Sequence, residues 1–513
     1  MGYIPPCVTR GNVYIPPCVT RGNVYISPCA ITKWGTFLRV TTKIGQLAQE
    51  LSRLNPWWRD QNWAATDPDL RDAANTGLTY RSAVLADLQP GGLYILRGPR
   101  RVGKTVAVKQ QIEDLLAAGI PSTAIVRMAV DGWTAKELRT IVQNTALPPV
   151  PAGHHRLWFI DEISAVAGEW DQQIKWLRDN DLGFHDATVV LTGSNAAALS
   201  DAAGTLSGRR GNHGQLDRTL LPIGFRTFVG LTLPGPKPTM ATLSPAQLRT
   251  PAARDAYLAA SPWLDDLVRQ WELYLMYGGF PRSVAAAAQG APVPTSFVED
   301  IFNMIAGDSF RHSKLSSTSE MALLERLWSA MASPANLTSI GKDVDVSQDV
   351  VTRHIGYLED SYLLWHCPQR ADDQWLPRDR AQDKLYAIDP IVARLAHLRN
   401  QARTDIDPTV LTEMQIGMAL RRRIISTNPT ALNDDFLFHV RTASRKEIDF
   451  VARDLAGVAI EGKYCEGGTW IGEAATVNAS EWHGLLCTRN VLDVGGDGAW
   501  AVPAGILAFA IDT

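Results

Sequence analysis

The sequence predicts an α/β protein built from several units: a phosphate-loop core in which a parallel sheet is covered by helices, a helical lid, a winged-helix segment and a C-terminal α/β module. Three observations carry this. Gly98–Thr105 reads GPRRVGKT and sits between the short apolar run GGLYIL and a segment of helical period ending in glycine. The apolar runs TAIVRMAV, RLWFIDE and ATVVLTGS follow at helix-length intervals, as strands of a sheet covered on both faces do. Much later, FLFHVRT, EIDFVARD and VAIEGKY form a second set of strands joined by tight turns.

At 513 residues the chain is too long for one hydrophobic core. Its 45% hydrophobic and 20% charged residues are the balance of a folded protein. With 50 basic against 53 acidic residues the net charge is -3, so no global field draws the chain onto nucleic acid, and any such contact needs a local patch. Cys7, Cys18, Cys29, Cys367, Cys465 and Cys487 lack the close spacing of a zinc or redox pair, and no disulfide framework is expected. No apolar run approaches the roughly 18 residues of a membrane span, and the start lacks a basic-then-apolar signal pattern, so the expected address is cytoplasmic with no membrane partner. YIPPCVTRGNV at Tyr3–Val13 recurs at Tyr14–Val24 and then decays; an identical copy rich in proline builds no core, and 1–33 reads as a repetitive tail without a fold.

The remaining boundaries follow from period and punctuation. A helical lead-in occupies 34–85, with Ile44, Leu47, Leu51 and Leu54 on one face. The phosphate-loop core takes 86–235, and the break LPGPKPTM opens a mostly helical lid over 236–332. Within 333–400, NLTSIGKDVDVSQDVVTRHIGYLEDSYLL gives a helix, a polar turn and a second helix with Val350, Val351, Ile355 and Leu358 inward. Read as a helix-turn-helix it offers Arg353 and His354 to DNA; read as two packed lid helices it touches none. The α/β module fills 401–513.

GPRRVGKT matches the G-x-x-x-x-G-K-[ST] pattern in full and in the right context. Gly98, Pro99, Arg100, Arg101, Val102, Gly103, Lys104 and Thr105 are therefore the expected ATP-binding residues. Backbone N–H groups of Val102, Gly103 and Lys104 face the phosphates at a helix N-terminus. Lys104 reaches the β and γ phosphates, and Thr105 ligates Mg²⁺. In LWFIDE, Asp161 stands beside the metal and Glu162 beside the attacking water, the other reading being an acidic pair capping a helix. Ser194, ending LTGS, orients the γ-phosphate or the water. Arg209 in LSGRRG is either an arginine finger acting across a subunit boundary, which needs a homo-oligomer, or a plain loop arginine.

GPRRVGKT, LWFIDE, LTGSN, LSGR followed by LLPIGFRTF, and LMYGGFPR together resemble the prokaryotic AAA+ ATPases of the archaeal-ATPase-like group, over about Thr41–Thr513. The position after GGFP in that group is often acidic; here it is Arg282, a lid sensor or a surface charge. Members often end in a domain similar to the PD-(D/E)XK nucleases, and KLYAIDP, TEMQIG and EIDF…IEGKY look like its landmarks. The resemblance implies an AAA+ core, a helical lid, a winged-helix segment and a restriction-endonuclease-like end.

In an extended VAIEGKY, Glu461 and Lys463 project from one face, and a hairpin through DLAG brings Asp449 near Glu461. Asp449 and Glu461 are then expected to hold Mg²⁺ and Lys463 to activate water, with Glu413 on the preceding helix completing the metal shell, as the resemblance also implies. The other readings are a salt-bridged hairpin and a degenerate nuclease fold kept for binding. Two functions stand: an ATP-hydrolysing enzyme whose nucleotide state controls a nuclease-like, DNA-acting domain, and a signalling or scaffolding switch with a non-cleaving C-terminal domain.

Overall fold

Five short strands, β1 (Leu93–Arg97), β2 (Ile125–Ala129), β3 (Leu157–Asp161), β4 (Thr188–Thr192) and β5 (Asp217–Thr219), form a sheet in the order β2-β3-β4-β1-β5, parallel throughout. This computed structural model describes residues 49–144, 147–212, 214–313, 315–372, 374–427, 436–442 and 446–512. The repeat at 1–33, and Ile44 and Leu47 of the lead-in, lie outside the described residues. The four apolar runs become β1 to β4. β5 escaped the sequence reading because Asp-Arg-Thr has no apolar period; ion pairs from Arg97 (2.9 Å) and Arg210 (2.8 Å) to Asp217 hold it on the edge. At the other edge, the buried Asn55 side chain pairs with the backbone of Arg127, donating at 2.8 Å and accepting at 2.6 Å, and so covers polar groups that an open strand would expose.

Helix α1 (Pro68–Asn75) begins at Asp67, whose carboxylate accepts from Asp69 and Leu70 N–H. The same carboxylate receives Lys109 of α2 (Lys104–Ala117) at 2.6 Å, which ties the lead-in to the helix that follows the phosphate loop. Further along the chain come α3 (Leu264–Tyr277) and α4 (Pro281–Ala288), joined by Gly278–Phe280. Helices α5 (Leu337–Asp343) and α6 (Gln348–Asp360) follow, then the antiparallel pair β6 (Leu364–Cys367) and β7 (Lys384–Ala387).

His354 does not face outward on α6: it is 1% exposed, with Nε2 3.2 Å from Glu320 Oε1. It lies one turn from Val351 and Leu358, so helical period places it on the packed face, and it offers nothing to DNA. Arg353 is exposed.

The C-terminal module places α7 (Pro408–Thr427) against a second sheet of β8 (Phe438–Arg441), β9 (Glu447–Val451), β10 (Val458–Gly462), β11 (His483–Thr488) and β12 (Trp500–Pro503). The order is β12-β11-β10-β9-β8, antiparallel from β8 to β10 and parallel from β10 to β12. The connection between β6 and β7 lies along β8, where Arg370 N–H donates to His439 O (2.9 Å) and His439 N–H to Pro368 O (3.0 Å). Helix α8 (Ala504–Ile511) is buried along its whole length and packs on α3 and α7. Just beyond it, Asp512 accepts from Phe225 N–H (2.6 Å) in the core and from Arg422 of α7 (2.9 Å). One apolar cluster runs from Trp57 through α3 and α4 to Ile511. Among the described residues, no helix is long and apolar enough to cross a membrane.

Candidate functional site

Because β4 lies between β1 and β3, the ends of all three strands meet at the phosphate loop. The Lys104 ammonium folds back on its own loop, donating to Gly98 O (2.8 Å) and Pro99 O (2.9 Å). The residue is 5% exposed. Burial lowers its pKa to about 8, although Glu162 and Asp161 pull it upward.

The Asp161 carboxylate is the most heavily engaged group here. Its Oδ2 accepts from Thr105 Oγ1 (3.1 Å) and from Arg127 Nη2 (2.6 Å), while Oδ1 accepts from Thr192 Oγ1. Burial pushes this carboxyl upward, but the Arg127 charge and the three hydrogen bonds outweigh it, and the group stays below its ordinary value. The Thr105 hydroxyl and the Asp161 carboxylate, side by side, are the hard oxygen pair that a phosphate-bound Mg²⁺ requires, so donor chemistry and position fit the ion.

Glu162 follows in a left-handed backbone conformation, φ 58°, with its N–H donating to Thr192 Oγ1 at 3.2 Å. That turn aims the carboxylate at Ser194, whose Oγ lies 3.4 Å from Glu162 Oε2 and accepts from Arg100 Nε at 3.2 Å. Arg127 was not singled out from the sequence, although a charged residue inside the run TAIVRMAV is a signal that something must pair with it.

A cavity of about 270 Å³ adjoins the loop, bordered by Tyr80, Arg101, Val102, Gly103, Arg282 and Phe297. Arg282 thus lies beside the phosphate loop. Arg209 is elsewhere: its Nε donates to Asp179 Oδ1 at 2.7 Å on the surface.

The second cluster forms where β9, β10, α7 and β7 meet. Asp449 and Glu461 come from paired strands whose register sets Ile460 opposite Phe450. Lys463 Nζ is 3.1 Å from Glu461 Oε2 and 4.0 Å from Asp449 Oδ2. Gly462 N–H donates to Asp449 Oδ2 (2.9 Å), and a Cβ at Gly462 would stand 2.8 Å from Glu413 Cα, so only glycine lets α7 approach this closely. The structure therefore gathers Glu413, Asp449, Glu461 and Lys463 in one place.

It adds two residues from β7 to which the sequence reading gave no role. Lys384 Nζ lies 2.9 Å from Asp449 Oδ1, 3.1 Å from Glu413 Oε1 and 3.8 Å from Glu447 Oε2, and Tyr386 OH donates to Glu413. Burial, reinforced by the Asp449 charge, raises Glu413 to about 7 against the pull of Lys384. Burial also raises Glu461 to about 7, opposed by Lys463. For Asp449 burial acts upward too, but Lys384 and Lys463 prevail and hold it low.

Carboxylates are suitable ligands for Mg²⁺, yet their arrangement here does not fit one, because Lys384 stands between Asp449 and Glu413. Among the described residues no three His, Cys, Asp or Glu side chains form a metal shell.

Residues 91–229 match the AAA domain family, and residues 268–403 match a domain of unknown function, DUF8612. The first span contains the phosphate loop, Asp161, Glu162, Ser194 and Arg209, and the chain carries an AAA-type P-loop nucleotide-binding domain. Solved structures with similar regions include a Walker-type ATPase of Pyrococcus abyssi, at 12% identity and a TM-score of 0.35 over 66% of this chain and 95% of that one. The Aeropyrum pernix ORC2 protein in its ADPNP-ADP complexes gives 14% identity and a TM-score of 0.31 over 65% and 93%. A Thermotoga maritima RuvB variant gives 13% and 0.26 over 56% and 85%. No curated protein matches the chain.

Proposed function

We propose that the chain binds and hydrolyses ATP and that its nucleotide state is transmitted to the C-terminal module. The observation that carries the second half is one turn shared by both sites. Between α3 and α4, Gly279 N–H donates to Asp389 Oδ2 at 2.7 Å, and a Cβ on Gly278 would lie 2.0 Å from Asp389 Oδ1. Arg282, at the start of α4, borders the cavity beside the phosphate loop. Asp389 lies just beyond β7, the strand that carries Lys384 and Tyr386 into the acidic cluster. A lid that shifts as nucleotide enters the cavity pulls on the strand that fills the second site.

At the first site, Lys104 exchanges its loop carbonyls for the β and γ phosphates, and the loop N–H groups meet the remaining oxygens. Thr105 and Asp161 would hold Mg²⁺, which neutralises phosphate charge. Glu162 polarises the attacking water and Ser194 orients it, while Arg209 acts on a neighbouring subunit of a homo-oligomer.

For the module, the order helix, three antiparallel strands, short helices and a parallel strand supports a restriction-endonuclease-like unit. Lys384 favours its use as a switch or binding surface without cleavage. Cleavage of DNA is the second reading, and the convergence of Glu413, Asp449, Glu461 and Lys463 favours it.

The test is phosphate release from ATP and Mg²⁺ by wild type and Lys104→Ala, with labelled DNA and RNA in the same reactions. Turnover that disappears in the variant supports hydrolysis at this loop; equal turnover refutes it. Cleavage that disappears in Asp449→Asn selects the second reading.

A further inference from the structure

We infer that Lys384 is a built-in counter-cation, occupying the place of a divalent ion in the C-terminal carboxylate cluster and keeping that cluster metal-free. The inference stands on the C-terminal geometry and not on hydrolysis at the phosphate loop.

Glu413, Glu447, Asp449 and Glu461 bring four carboxylates to this region, and buried carboxylates without a cation are strongly unfavourable. Lys384, 1% exposed, supplies that cation from inside the chain by touching carboxylates from two different elements. A divalent ion needs carboxylate oxygens at roughly 2.0–2.6 Å. An ammonium 2.9 and 3.1 Å from Asp449 and Glu413 competes with such an ion for both carboxylates, as Arg127 does at Asp161.

Lys384 is a strand residue, paired with Cys367 across β6 and bridged to Pro334 on its other side, and its side chain is enclosed. Emptying the position requires the buried side chain to repack, β7 to move, or the charge to be deleted. Glu461, itself 1% exposed, has its own counter-cation in Lys463 at 3.1 Å, so lysines on β7 and just beyond β10 neutralise the cluster from within the chain.

The experiment titrates Mn²⁺ into the full chain without nucleotide, reading free Mn²⁺ by electron paramagnetic resonance and stability by thermal melts. In wild type we expect no Mn²⁺ binding that Asp449→Asn removes, and no Mn²⁺-dependent rise in melting temperature. Lys384→Met, which keeps the unbranched apolar stem and removes the charged terminus, should gain one Mn²⁺ per chain and melt higher with Mn²⁺. Adding Asp449→Asn to it should abolish both gains. An Asp449-dependent Mn²⁺ site in wild type overturns the inference, as does a folded Lys384→Met that gains none. If Lys384→Met does not fold even with Mn²⁺, the wild-type comparison with Asp449→Asn decides alone.

Discussion

Arg127 Nη2 lies 2.6 Å from Asp161 Oδ2, on the oxygen that also accepts from the Thr105 hydroxyl. A basic side chain thus rests on the carboxylate suited to Mg²⁺, as Lys384 does on Asp449, and Asn55 clasps the Arg127 backbone from behind. Arg127→Met leaves a buried carboxylate unpaired and should cost about 3–5 kcal/mol in the nucleotide-free protein. Mg²⁺ with ATP then restores the missing charge, so the ligand-induced rise in melting temperature should be larger in the variant than in wild type. A smaller rise would mean that Arg127 holds nucleotide rather than competing with the metal.

Lys104→Ala should abolish ATP binding in a direct titration, since this ammonium is the side-chain cation placed to leave Gly98 O and Pro99 O for the phosphates. Glu162→Gln should keep that affinity and lower turnover by about 10²–10⁴, because it removes the water-polarising charge and leaves the loop intact. Loss of binding together with turnover would make Glu162 structural.

The lowered Lys104 pKa, about 8 against an ordinary 10.5, fixes a pH dependence. Below pH 8 the ammonium is present in the empty site. Between about 8 and 10.5 it is largely neutral there, and anionic phosphates recharge it. ATP binding should therefore weaken as pH rises through 8 and should take up a proton in that window, seen as buffer-dependent heats in calorimetry. Heats at pH 9 that are independent of the buffer would contradict this.

The grouping of residues around the phosphate loop was legible because it is local: one loop, the tips of β3 and β4, and apolar runs that announce the strands. Asp449, Glu461 and Lys463 were legible from strand spacing. Arg127 and Lys384 were not, because each acts on a carboxylate far away in sequence, and periodicity says which face a residue occupies without saying what faces it. Lys384 illustrates this most clearly: it belongs to the 333–400 segment by sequence but completes a cluster whose acids lie beyond 401. The β6–β7 connection lies on β8 through main-chain groups, which carry no sequence signal.

Arg209 pairs with Asp179 within its own chain. To serve a neighbouring subunit it must exchange that exposed partner for phosphate, which a weak surface pair permits. Activity per subunit should then rise with protein concentration, and Arg209→Ala should lower turnover in the oligomer without changing ATP affinity. A strictly monomeric protein with full activity excludes a role in trans; an oligomer indifferent to Arg209→Ala transfers the candidacy to Arg210 or Arg282.

Asp389→Asn should separate the two sites. The Asp389 carboxylate accepts from Gly279 N–H with one oxygen and from Ile391 N–H (2.9 Å) with the other; asparagine has the same shape but only one such oxygen. Burial raises the Asp389 pKa from 3.8 to about 6, against those backbone hydrogen bonds. An acid whose folded value is raised binds its proton more tightly when folded, so stability falls as pH rises from about 4 to 6, and the ionised group is a net cost above pH 6. The neutral amide removes that cost while losing one acceptor, so melting at pH 7 should change little and ATP hydrolysis should persist. What should disappear is the difference in amide hydrogen exchange of β7 and α7 between the nucleotide-free and ATP-bound protein. If that difference survives in Asp389→Asn, the turn at Gly279 is not the link between the sites.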